Sequence, residues 1–123
     1  MIKDVCAAAA HMLGLTEEAE ELLSADCSEE TAARWLRLYD LVVREIAEEY
    51  RRGEARSPFP APSLGGETAA FTGITPRMIA YGVAAEYAIT EGLDVAEMWD
   101  SRFRSSLSLA ARPALRIRAR RMM

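Results

Sequence analysis

Four arginines near the end of the chain are the residues best placed to do chemistry. Arg116, Arg118 and Arg120 alternate with Leu115, Ile117 and Ala119, and Arg121, Met122 and Met123 follow. Guanidinium groups in such a run can hold phosphates or carboxylates. A period of two is the repeat of an extended strand with one apolar and one cationic face. The backbone donors and acceptors of an extended segment must still find partners or water. The tail is therefore either frayed and solvated, or it completes its hydrogen bonds on another chain. The second alternative makes this protein an assembly part.

Residue types that support catalysis are thinly spread. His11 is the single histidine and sits behind four alanines, a setting where histidine is far more often structural than catalytic. There is no nucleophile elbow, no Ser/His/Asp set and no HExxH. The acidic pairs Glu17/Glu18, Glu20/Glu21 and Glu48/Glu49 occupy adjacent positions, so each pair diverges around its helix. A di-metal bundle requires Glu-x-x-His, which is missing. Cys6 and Cys27 show no zinc spacing, and Cys6 reads as a small buried side chain. Trp35 and Trp99 read as core or interface anchors. The expectation is a protein without catalytic residues, cofactor or metal.

The chain has 123 residues, enough for one domain with a real core, and is 50% hydrophobic and 28% charged. Its net charge is −4, divided as −7 over residues 1–54 and +3 over residues 55–123. Such asymmetry suggests head-to-tail contact between copies, or a basic end docked on an acidic partner. The bland alternative is a set of solvated acidic helix faces. Sequence-reading of DNA is disfavoured, because the long helix is acidic on its exposed side. The opening Met1-Ile-Lys-Asp-Val5 lacks a signal-peptide layout, and no apolar run approaches the roughly 20 residues that span a bilayer. A reduced, soluble, cytosolic protein is expected.

The elements follow from periodicity and caps. Residues 2–13 are an alanine-rich helix ended by Gly14. Thr16 should cap a short helix reaching about Leu23. Asp26 with Glu29, or else Ser28, should start the longest helix, which reaches about Arg52. Its buried stripe is Trp35, Leu38, Tyr39, Val42, Val43, Ile46 and Tyr50. A Pro/Gly connection over 53–73 follows, with Phe59 and Phe71 as pins and Gly65-Gly66 as a plain turn. Thr75-Pro76 opens a helix whose only charge between Met78 and Ile89 is Glu86, marking it as central. After Gly92, a capping box at Asp94–Glu97 starts a fifth helix with stripe Met98, Trp99, Phe103, Leu107 and Ala110 or Ala111, stopped by Pro113. The predicted fold is all-α: a four- to five-helix bundle with a long central helix and an extended C-terminal tail. The helical domain is 1–112 and the basic tail 113–123.

Three segments carry a family resemblance. Arg77-Met-Ile-Ala-Tyr-Gly-Val-Ala-Ala-Glu-Tyr-Ala-Ile-Thr-Glu-Gly92, Met98-Trp-Asp-Ser-Arg102 and Arg116-Ile-Arg-Ala-Arg-Arg121 resemble phage and prophage head–tail connector (adaptor) proteins. Met1–Val5 and Leu38–Tyr50 agree with this. One departure is plain: such relatives carry a longer β-rich insertion where this chain has only its Pro/Gly loop. The resemblance implies a ring homo-oligomer in the virion neck, assembled in the host bacterial cytoplasm. That ring docks on the portal protein, meets the next neck or tail component, and surrounds genomic DNA without reading its sequence. It also implies that Leu115, Arg116, Ile117, Arg118, Ala119, Arg120, Arg121, Met122 and Met123 reach the portal or a neighbouring subunit. The alternative is a small helical regulatory protein whose basic tail binds a protein partner or nucleic acid.

Overall fold

The structure, a computed structural model, describes residues 1–50 and 61–122, and for Tyr50 and residues 111–122 the backbone alone. Its elements are α1 (Ile2–Met12), α2 (Thr16–Leu23), α3 (Glu29–Tyr50), α4 (Pro76–Thr90) and α5 (Ala96–Met122). The fold is all-α, as expected. Among the described residues the only β feature is an isolated bridge between Phe71 and Ile74.

α4 is the hub and packs against α1, α3 and α5. Its sequence explains why. Ile79, Ala80, Gly82, Val83, Ala84, Ala85 and Ala88 are all buried, so the helix is covered on several sides by neighbours that its small residues let come close. Gly82 marks the tightest approach: a Cβ there would lie 2.7 Å from Val42 Cγ1 on α3 and 2.9 Å from Phe103 Cε1 on α5. From α3, Trp35, Leu38, Tyr39, Val42, Val43 and Ile46 enter the core in steps of three and four. From α5, Trp99, Phe103 and Leu107 do so in steps of four. Met98, expected in that stripe, is instead 47% exposed.

Helix ends refine the sequence reading. Gly14 and Gly92 take the left-handed conformation just past α1 and α4, at φ 77° and 66°. Thr75 caps α4, its hydroxyl accepting from Met78 N–H at 3.3 Å. For α3 the cap is Ser28 and not Asp26: Ser28 Oγ accepts from Thr31 N–H at 3.2 Å. Thr16 is the first residue of α2 and not its cap. α5 begins at Ala96, two residues after the expected Asp94.

The connection before α4 has a structural task. Carbonyls of Gly66 and Leu64 accept from the N–H groups of Ile2 and Lys3 at 2.9 and 3.0 Å. Those are donors that the first turn of a helix cannot pair internally. Tyr39 Oη accepts from Ala69 N–H at 2.8 Å, and Phe71 is buried, so the segment is pinned to α3 and the core. Phe59, the other expected pin, lies outside the described residues.

The extended tail is the main correction. α5 does not stop at Pro113; its backbone stays helical to Met122, some 27 residues and about 40 Å in all. A proline inside a helix removes one backbone hydrogen bond and costs about 3 kcal/mol. Here alanine, leucine and arginine dominate both sides of it, and these are the strongest helix formers. An alternation only six residues long is a weak counter-signal. The helix also closes its own backbone hydrogen bonds, which removes the argument for a strand seeking a partner sheet.

Candidate interaction surfaces

An arginine–aromatic surface spans α4 and α5. Tyr81 and Trp99 stack with ring centroids 6.0 Å apart and planes 29° from parallel. The Arg102 guanidinium lies 5.3 Å from the Trp99 centroid and 5.9 Å from that of Tyr81. Arg77 covers Tyr81 at 5.7 Å and donates from Nε to Tyr81 Oη at 3.0 Å. That hydrogen bond, with the positive charges of Arg77 and Arg102, pulls the Tyr81 hydroxyl below its ordinary pKa. Helical spacing brings the pairs together: Arg77 and Tyr81 are four apart, Trp99 and Arg102 three apart. Both arginines are exposed, and neither forms an ion pair with a carboxylate among the described residues. Beside them lies an open concavity of about 420 Å³ lined by Gly73, Met78, Ser106 and Leu109.

A second cationic group behaves differently. Arg104 bonds Glu45 on α3 and lies 3.5 Å from Asp100 and 3.9 Å from Glu49. Burial alone would lower its pKa; the hydrogen bond and charge of Glu45, with Asp100 and Glu49, raise it instead. This cluster joins α3 to α5. Glu86 of α4 faces it and is pushed above the ordinary carboxylate range, by burial first and then by Glu45 and Asp100.

The third surface is acidic. Between Met12 and Ala33 the chain has seven acidic residues and no lysine or arginine. Two of the seven are committed internally. Glu18 accepts from Arg34 and from Trp35 Nε1, both at 2.8 Å, beside a parallel stack of Trp35 on Tyr87. Glu21 accepts from Ser28 N and Oγ, and hydroxyl contacts with Thr31 and Ser28 hold its pKa down. Glu17, Glu20, Asp26, Glu29 and Glu30 are exposed, as is Leu23 at 45%.

Of the sequence-predicted partner residues, Leu115 to Met122 lie on the helical end of α5, and Met123 lies outside the described residues. His11 is exposed at the end of α1. Cys6 is buried and its thiol pKa is pushed up to about 12 by that burial. Among the described residues no group of three or more His, Cys, Asp or Glu gathers in metal-binding geometry. None of the described helices is long and apolar enough to cross a membrane. The arginine–aromatic surface was missed in the sequence because its halves lie 18 or more residues apart; the i,i+4 and i,i+3 pairings were its visible trace.

No protein-family model, curated protein or solved structure matches this chain.

Proposed function

We propose that this protein is a structural connector, specifically a head–tail adaptor of a tailed phage or prophage that forms a ring on the portal. The observation that carries the reading is the segregation of unmatched charge. An acid-rich edge running from α2 to the first turn of α3, whose Glu17, Glu20, Asp26, Glu29 and Glu30 are exposed, stands apart from exposed arginines on α4 and α5. Surfaces of opposite charge that lie apart on one copy do not pair within it, whereas neighbouring copies can pair them head to tail, and a rotation that closes makes a ring. The resembling segments fall on α1, α3, α4 and both ends of α5.

The tail contributes as a helix. In helical register, positions 115, 119 and 122 share one side and 116 and 120 another. The mixed apolar and arginine composition of residues 115–122 suits an acidic, apolar groove on a portal. Arg118 and Arg121 would add to the field that draws the segment to an acidic partner.

Four arginines within six residues favour one second reading, a regulatory protein whose helical end binds nucleic acid. The two separate in one experiment. The full chain is mixed with portal-containing heads, and the products are sized and imaged by negative stain. Annular particles or capped heads support the adaptor. A free dimer that ignores heads and binds DNA with a steep salt dependence supports the regulator.

A further inference from the structure

The arginine–aromatic surface and the acidic edge have the chemistry of two halves of one contact. We propose that the Arg77–Tyr81–Trp99–Arg102 surface receives the α2 edge of a second copy of this chain, with Leu23 seated in the concavity and Glu17 and Glu20 against the arginines. This rests on the proposed function's claim that copies associate, and it names where.

Three observations support it. Arg77 and Arg102 are held in place by aromatic rings and, among the described residues, lack a carboxylate partner. A guanidinium stacked on a ring keeps edge donors for a carboxylate; Arg77 commits Nε to Tyr81 Oη and retains its two Nη groups. The adjoining concavity contains Leu109, 59% exposed, with Met78 and Tyr81 at its wall, so its centre is apolar while its rim is cationic. The candidate occupant mirrors this. Glu17, Glu20 and Leu23 step by three along one side of α2, and Leu23 is an exposed apolar side chain beside exposed carboxylates.

The geometry also favours a contact between copies over one within a copy. α2 packs on α1 and α3, while the arginine surface lies on α4 and α5. The two surfaces differ, so the contact is heterologous and propagates into a ring or a filament. An apolar centre ringed by charge pairs is the ordinary layout of a specific interface. The arginines here supply specificity and speed of encounter, and Leu23 supplies burial.

The test uses the full chain in sedimentation equilibrium at low salt. Two charge-reversed variants are prepared, R77E/R102E and E17R/E20R. All four positions are solvent-exposed, and circular dichroism checks that each variant folds. Each variant alone should associate about tenfold or more weakly than wild type. An equimolar mixture should recover association, because each supplies the surface complementary to the other; that recovery also proves both are folded. L23D should weaken association without any rescue. Reversed variants that associate like wild type, or a mixture that fails to recover, would overturn the proposal. So would a wild-type chain that stays monomeric at every attainable concentration, while the adaptor reading would then stand or fall on docking to heads alone. If R77E/R102E instead loses binding to a poly-thymidine oligonucleotide with self-association unchanged, the surface belongs to nucleic acid and the proposal fails.

Discussion

Arg102 and Arg104 stand two positions apart on α5 and meet opposite surroundings. Arg104 turns to the α3 junction, where Glu45, Asp100 and Glu49 answer its charge within the molecule. Arg102 lies across Trp99 and Tyr81, held by ring faces that leave its charge unanswered. The first arrangement joins two helices of one chain. The second fixes the place and orientation of a cation without neutralising it, and so prepares a surface. The same division appears among the acids: Glu18 and Glu21 tie α2 to α3, whereas Glu17 and Glu20 face solvent. Charge that is matched at home is structural; charge that is held but unmatched is available to a partner.

The comparison breaks most completely if α5 loses its seat. Trp99→Ala should cost about 3–5 kcal/mol in a denaturant titration, because it removes a core anchor and the ring beneath Arg102 together. Gly82→Ala should follow. Its added Cβ meets Val42 and Phe103 inside contact distance, so about 1–3 kcal/mol of overpacking outweighs the roughly 1 kcal/mol gained in helix propensity. The arginines sharpen the contrast at smaller scale. A double-mutant cycle between Arg104 and Glu45 should return a coupling of up to about 1 kcal/mol that shrinks with salt. Arg102→Ala should change monomer stability by no more than about 1 kcal/mol, with little dependence on salt, and register chiefly in self-association.

Titration offers two finer checks. Glu86 is held above the ordinary carboxylate pKa by burial, then by Glu45 and Asp100. A raised carboxylate pKa means that the folded state binds the proton better than the unfolded state does. Its contribution is therefore fully present below the ordinary pKa and is lost as pH rises through the raised one. Glu86→Gln should melt a few degrees higher than wild type at neutral pH, and the difference should vanish near about pH 4. The thiols give the smallest signal. With Cys6 pushed to about 12, only Cys27 should react with a thiol reagent near pH 8, and Cys6 only on unfolding.

Much of the frame was legible in the sequence. The steps of three and four through Trp35 to Ile46 and the near absence of charge in α4 mark their faces directly, because core burial and helical period leave few alternatives. Caps were less legible. Asp26, Ser28 and Glu29 offer competing geometries, and Glu21, seven residues before Ser28, decides the outcome by bonding Ser28. The end of α5 was misread. Alternation of Leu115, Ile117 and Ala119 with arginines signals a strand only when something pairs with it, and local helix propensity decides when nothing does. The arginine–aromatic surface needed tertiary structure, since only the packing of α4 on α5 lays Arg102 over Tyr81. The helical arrangement of the tail also changes what it can offer a partner, from an edge to be extended to a face to be docked.

If charge left unmatched in one copy is matched by the next, self-association must weaken as salt rises. The most direct measurement is the sedimentation mass of the wild-type chain across ionic strength at fixed concentration. An oligomer is expected at low salt, its mass falling toward that of a single chain as salt screens the contact. A chain that is monomeric at every ionic strength, or an oligomer indifferent to salt, would contradict it.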